Sequence, residues 1–108
     1  MKVWHNSLKE RFIEFPVHQH LLMICNELNR AGNLLNDTQE YKNCLERALE
    51  LLDYSVFSGV WMDKYKEILR ARGLIAHSYS SPPSKTIDLQ KILISLNTEA
   101  FHIVNGKL

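Results

Sequence analysis

The side chains best suited to chemistry lie close together in one stretch, residues 72–79. Arg72, His77 and Tyr79 occur there within eight positions. Histidine, with an ordinary pKa of about 6.5, can accept or donate a proton near neutral pH. Arginine keeps its charge and offers a fork of donors that matches a phosphate. The stretch therefore has the residue types needed for proton transfer beside a bound anion.

Arg72 belongs to an apolar stripe of helical period. Its companions at spacings of three and four are Tyr65, Ile68, Leu69 and Ala76, which predicts an amphipathic helix with Arg72 on its inward side. A buried guanidinium without a partner would cost several kcal/mol. Arg72 should therefore pair with a carboxylate, reach the rim of the core, or face a cleft for an anion.

The elements that would position this stretch are helices. A short leading helix before Pro16 precedes four longer segments of helical period, 18–35, 37–56, 60–77 and 86–104. Asp37 with Glu40 has the form of a capping box, and Thr86 can cap the last helix. The predicted fold is all-α, an antiparallel four-helix bundle with a short extra N-terminal helix, in one domain spanning 1–108.

Details of this prediction concern individual residues. Trp61, Tyr65, Ile68 and Leu69 are expected to face inward, and residues 78–85, which include Pro82-Pro83, to form the main loop. Three aromatic residues near the N-terminus should bury against the bundle or form a dimer contact: Trp4, Phe12 and Phe15. His18 and His20, two positions apart, point to different sides of a helix and are expected at the surface, as are His5 and His102.

Composition is that of an ordinary globule. The chain has 108 residues, 45% hydrophobic, with a formal net charge of +1, which argues against a surface built wholly to bind polyanions. Two cysteines without a zinc-type spacing are expected to be reduced and buried, as in a cytoplasmic protein. No membrane span, signal peptide, phosphate-binding glycine loop, nucleophile elbow or metal-ligand set is recognised. We therefore expect a soluble protein that needs no cofactor or metal.

The arrangement of Arg72, four residues, His77, one residue and Tyr79, late in the third long helix of a small helical chain, resembles the R-x4-H-x-Y motif of HEPN domains. The resemblance implies a metal-independent ribonuclease, with the site usually doubled across a homodimer. It would make Arg72 the phosphate clamp and His77 the acid or base. Tyr79 would support the nucleotide or be the residue that a partner nucleotidyltransferase antitoxin modifies in toxins of this family.

Helical geometry sets a condition on this site. Residues five apart are separated by about 140° around a helix axis, so one helix does not bring Arg72 and His77 together. A loosened helix after Gly73, a wrapped arginine or a second copy of the chain would be required.

Three interpretations follow. One is a HEPN-type ribonuclease, with RNA as substrate. Another is an interaction module in which Arg72 is tied to a carboxylate such as Glu50 or Asp53. An exposed apolar patch, around Trp4, Phe12 and Phe15 or around Trp61, would then bind a protein. The third is a nucleotide-binding helical domain that acts with a nucleotidyltransferase and needs an anion site at Arg72 without His77.

Overall fold

The computed structural model describes residues 6–59 and 61–104, and for residues 6–9, 62 and 98–99 it describes the backbone alone. Within these ranges every element of secondary structure is a helix, as predicted, with one 3-10 turn at Met62–Lys64. The α-helices are α1 Asn6–Glu14, α2 Val17–Gly32, α3 Thr38–Phe57, α4 Tyr65–Tyr79, α5 Ile87–Ile94 and α6 Thr98–Val104.

Four of the helices form a closed ring. α2 packs on α3, α3 on α4, α4 on α5, and α5 returns to α2. Short connections join consecutive members, so neighbours run antiparallel. α1 lies against α3, and α6 lies against α2 and α5. The predicted bundle with a short N-terminal helix is confirmed.

α3 is the central helix, because buried residues occur on most of its circumference. A local hydrogen bond caps the start of α3: the Asp37 carboxylate accepts from the Glu40 amide at 3.1 Å, as the sequence predicts. Its end is followed by Gly59 with φ 84°, a left-handed conformation that glycine adopts without steric cost.

The last predicted helix is wrong in one respect, since it divides into α5 and α6. Asn97 Oδ1 accepts from the Ala100 amide at 2.9 Å and so caps α6. Ser95 Oγ donates to the Ile92 carbonyl at 2.7 Å, which competes with helix continuation. Lys64 Nζ donates to the Leu96 carbonyl and holds the break against the 3-10 turn. The predicted stop at Asn105-Gly106 lies outside the described residues.

The predicted helix start at Thr86 is confirmed, but the Thr86 side chain does not cap the helix. Thr86 occupies the N-cap position of α5, but its buried hydroxyl donates to the Leu28 carbonyl of α2 at 2.5 Å. Gly32 lies directly beside it, because a Cβ added there would stand 2.7 Å from Thr86 Oγ1. A glycine at 32 thus lets α5 dock closely on the end of α2.

The inward face of α4 is narrower than predicted. Ile68, Ala71 and Ile75 are buried, whereas Tyr65 is 51% and Leu69 41% exposed. Their positions are at the edge of the stripe, and α4 turns its Ile68 side to the core. Trp61 is buried as predicted, although it precedes the helix. α4 also continues through Gly73 to Tyr79 without a break.

The N-terminal aromatic residues have separate fates. Phe12 is fully buried and packs in the core of this same chain, while Phe15 is 37% exposed. Trp4 and His5 lie outside the described residues.

In the described part of the chain, no helix has the length and apolar character needed to span a bilayer.

Candidate functional site

Arg72 is held by a carboxylate of α3. Its Nε donates to Asp53 Oδ1 at 2.6 Å and its Nη2 donates to Asp53 Oδ2 at 3.1 Å. Two parallel bonds of this kind fix the plane of the guanidinium. The hydrogen bond to Asp53 raises the pKa of Arg72, against the effect of partial burial. Of the two carboxylates that the sequence suggested as partners, Asp53 is the one that Arg72 reaches.

Tyr79 forms a second link between the same two helices. Its hydroxyl donates to Glu46 Oε1 at 2.8 Å, and Lys42 Nζ lies 5.3 Å from the ring centroid. The bond to Glu46 raises the pKa of the Tyr79 phenol, because it stabilises the protonated hydroxyl. Tyr79 is half-buried and ends α4, whereas the sequence placed it in a loop.

The two links share one register. Asp53 and Glu46 are seven residues apart on α3, and Arg72 and Tyr79 are seven apart on α4. Seven residues make about two helical turns, so each pair of residues lies on one face of its helix. A step back along α3 matches a step forward along α4, as an antiparallel pair requires. Arg72 and Tyr79 therefore act here as interhelical ties.

His77 lies away from these ties. It is exposed in the last turn of α4, and its backbone carbonyl accepts from Ser81 Oγ at 2.8 Å. No hydrogen bond joins it to Arg72 within the described residues, as the rotation of about 140° between them implies. The structure thus brings Arg72 and Tyr79 onto one seam and leaves His77 on another side.

An exposed apolar cluster borders the seam, at the end opposite Tyr79. Phe57, one turn beyond Asp53 on α3, is 72% exposed. Tyr65 and Leu69 precede Arg72 by two turns and one turn on α4. The antiparallel register places these three residues at the same end. The sequence suggested an apolar patch elsewhere, around Trp4, Phe12 and Phe15 or around Trp61. Phe12 and Trp61 are buried, Phe15 is 37% exposed, and Trp4 lies outside the described residues.

A buried histidine escaped the sequence interpretation. His20 is fully buried, stacked on the Phe12 ring at 4.2 Å, so its predicted surface position is wrong. His20 Nδ1 lies 2.8 Å from Ser55 Oγ, which also accepts the indole N–H of Trp61. This network occupies the core, so Ser55 cannot serve as a nucleophile for an outside substrate. A histidine next to Leu21 on a helical stripe was the available signal.

Other features bear on possible ligands. In the part of the chain that the structure describes, no three histidine, cysteine, aspartate or glutamate side chains gather in a way that could hold a metal ion. Both cysteines are free and buried. The Glu27 carboxylate, nearly buried in α2, forms ion pairs with Arg30 and Arg47 at 3.4 Å each. Its negative charge is therefore balanced within the fold.

Comparisons with known proteins give a partial similarity. Neither a protein-family model nor a solved structure matches the chain. The A subunit of eukaryotic translation initiation factor 3, from Drosophila melanogaster, Drosophila virilis and Drosophila mojavensis, is 33% identical to it over 72 residues. The matched part is 66% of this chain and 6% of each relative. The chain therefore corresponds to a small portion of the length of these relatives.

Proposed function

We propose that this chain is a non-catalytic helical module that binds another protein through the α3/α4 face. That face consists of the two ties, Asp53–Arg72 and Glu46–Tyr79, and the apolar cluster of Phe57, Tyr65 and Leu69. The observation that carries the proposal is the two-bond pairing of Arg72 with Asp53. It satisfies the cation within the fold, as the interaction-module interpretation requires.

The apolar cluster supports the same proposal. The cluster places three large apolar side chains at one end of the seam. Their burial against a partner would stabilise the complex by about 25 cal/mol per Å² of apolar surface removed from water. Aromatic residues are enriched at the centres of protein interfaces. The adjacent ion pair is 37% exposed at Arg72 and 43% at Asp53, so it supplies a polar rim. A cytoplasmic location is part of the proposal, supported by two free cysteines.

A HEPN-type ribonuclease is the second candidate. It is favoured by the exposure of His77 and by the Arg72 guanidinium, whose Nη1 forms no hydrogen bond within the described residues and could meet a phosphate. This candidate requires a homodimer, because one chain does not bring Arg72 and His77 together. A nucleotidyltransferase antitoxin that modifies Tyr79 would be its partner, and Tyr79 would have to leave Glu46.

The two candidates separate in a cleavage assay. Purified chain is incubated with a mixed RNA pool in EDTA, beside Arg72→Ala, His77→Ala and, as a control, Arg70→Ala on an exposed part of α4. We expect no cleavage by the wild type at concentrations that would populate a dimer. Cleavage that disappears in the folded Arg72 and His77 variants but persists in Arg70→Ala would establish the ribonuclease instead.

Binding through the α3/α4 face needs its own assay. Tagged wild type and a Tyr65→Ser/Leu69→Ser variant are used for native affinity purification, and each captured protein is then purified and titrated against both. We expect at least one protein that binds the wild type and loses about tenfold or more in affinity for the variant. A Leu74→Ser variant, altered at another exposed apolar position of α4, should bind as the wild type does. Equal binding by all three chains would reject this face.

A further inference from the structure

A second surface of the ring lies along the junction of α2 and α5, opposite the α3/α4 seam. Three adjoining cavities follow it, with volumes of about 400, 360 and 220 Å³. Gln90 lines all three, so they form one continuous groove. Along α2 the groove runs from Gln19 to Asn33, which at 1.5 Å per residue is about 21 Å. A groove of this length fits an elongated occupant.

The largest cavity is an apolar pocket. Its walls are mostly hydrophobic and come from three helices: Cys25 of α2, Ile87 and Ile94 of α5, and Phe101 and Val104 of α6. Ile87 is 50% and Val104 56% exposed at its rim. A pocket of about 400 Å³ is large enough for one leucine or aromatic side chain with space to spare. It would anchor a single large apolar group.

Carboxamides share the rest of the groove with apolar side chains such as Leu22, Met23 and Leu35. Gln19, Asn26, Asn29 and Asn33 form a stripe on α2, and within the described residues their side chains form no hydrogen bonds with the protein. A carboxamide offers both a donor and an acceptor. It can therefore pair with the N–H and C=O groups of an extended peptide, which are free, whereas those of a helix are already used. The stripe favours an extended strand over a helix.

The charge of the groove is one-sided. Lys91 lines the apolar pocket, and Lys85 lines the neighbouring cavity at the Asn33 end of the groove. Among the side chains that the structure describes, no aspartate or glutamate lines any of the three cavities. The groove therefore complements an acidic peptide, whose carboxylate can face either lysine.

We infer that the α2/α5/α6 groove binds an extended, acidic segment of a partner protein, about six residues long, with one large apolar side chain in the pocket. At about 3.3 Å per residue, six residues match the length of the groove. The segment's main chain pairs with the carboxamide stripe, and its carboxylate faces Lys91 or Lys85. This site lies across the bundle from the α3/α4 face and does not depend on it.

The test is selection of binders from a random octapeptide phage library on the immobilised chain. Enriched sequences should combine a leucine or aromatic residue with aspartate or glutamate. A synthetic peptide of the leading sequence should perturb the side-chain NH₂ signals of Asn26, Asn29 and Gln90 in the 15N-labelled wild type. Phe101→Ser and Asn29→Ala should each weaken its binding by about tenfold, while the controls Leu74→Ser and Asn36→Ala should not.

Each other outcome overturns the inference. No enrichment, or peptides that leave the three NH₂ signals unchanged, removes the peptide site while the α3/α4 face stands or falls by its own assay. Decanoate that perturbs the same signals when no peptide does would identify a pocket for small amphiphiles. A dimer in sedimentation velocity that Phe101→Ser dissociates, with no peptide binding, would identify a second copy of the chain as the occupant.

Discussion

Arg72 forms an ion pair with Asp53, and the interaction energy of this pair can be measured. Arg72 and Asp53 meet through two bonds but are each more than a third exposed, so water screens much of their attraction. Exposed pairs contribute about 0.2–1 kcal/mol in double-mutant cycles. The upper part of that range is expected here, because the two-bond geometry is fixed.

The first prediction concerns this pair. Arg72→Ala, Asp53→Ala and the double variant should give a favourable coupling energy of about 0.5–1 kcal/mol in urea unfolding. Replacing Arg72 with lysine should recover only part of it, since an ammonium cannot form both bonds. A coupling of zero would mean that the pair contributes nothing and that Arg72 is available for a ligand.

His20 makes the stability of the fold depend on pH. Burial lowers its pKa, while the nearby backbone of Phe12 and Phe15 acts in the opposite direction. The unfolded chain, with an ordinary histidine pKa of about 6.5, binds this proton more readily than the folded chain. The contribution of neutral His20 is therefore complete above about pH 6.5 and is lost as the pH falls through its folded pKa.

The second prediction follows from that sign. The free energy of unfolding of the wild type should fall between pH 7.5 and pH 5, and the fall should be smaller in His20→Leu. His77→Gln, which alters an exposed histidine, serves as the control and should keep the wild-type fall. Parallel pH profiles for the wild type and His20→Leu would remove His20 as the cause.

Among the elements, the junction of α2 with α5 is the most sensitive to a small change of volume. Gly32 ends α2, and Thr86 Oγ1 occupies the space that a side chain at 32 would need. Thr86 cannot turn away without giving up its bond to the Leu28 carbonyl. At Gly73, in contrast, no described atom outside the surrounding turns of α4 lies within 4 Å of an added Cβ.

The third prediction compares these two glycines. Gly73→Ala should stabilise the chain by about 0.5–1 kcal/mol, because alanine is the better helix former. Gly32→Ala should destabilise it by about 1–2 kcal/mol through the clash with Thr86. Adding Thr86→Ala to Gly32→Ala should cost less than the two single changes together. Calorimetric melting of the five chains tests this, and stabilisation by Gly32→Ala would contradict the close approach.

Apolar period and helix caps in the sequence predicted most of the helices. The features that the sequence did not predict depend on contacts between helices. α2 and α3 follow from apolar period and the Asp37 cap, which depend only on neighbouring residues. The division at residues 95–97 was hidden because Leu96 continues the apolar stripe, while the Asn97 cap competes with it. Period alone also could not choose which edge of the α4 stripe faces the core, so Tyr65 and Leu69 were placed inside.

The candidate site was predictable to a similar extent. An arginine on an inward stripe needs a carboxylate, and Asp53 was one of the two suggested. Glu46 was missed because Tyr79 was placed beyond the helix, where no register with α3 exists. The groove was missed because it is formed by residues of α2, α5 and α6 that are distant in sequence and individually ordinary.

At the scale of the whole molecule, the two cysteines report on how the bundle opens. Cys25 and Cys44 lie in the core, and burial raises the pKa of the Cys25 thiol to about 12. A thiol of that pKa has very little of the nucleophilic thiolate at pH 8. Reaction with a bulky disulfide reagent should therefore require opening of the structure.

The fourth prediction is that neither thiol reacts rapidly with Ellman's reagent at pH 8 in the native chain. Both should react at once in 8 M urea. Cys44→Ser and Cys25→Ser assign the two rates, and a second measurement at several urea concentrations shows which thiol opens first. One fast equivalent in the native chain would show that the pocket beside Cys25 admits the reagent.

The closure of the helix ring also bears on the order of folding. Contacts of α2 with α3 and of α3 with α4 join neighbours in sequence, whereas the α2–α5 contact joins segments about sixty residues apart and has a larger loop-closure cost. The α2–α3 hairpin should therefore form in the transition state, and α5 should dock afterwards. Leu45→Ala in α3 should then slow refolding, while Leu93→Ala in α5 should mainly accelerate unfolding. The peptide groove would exist only after α5 has docked. A ligand bound in the groove would therefore lower the rate of unfolding.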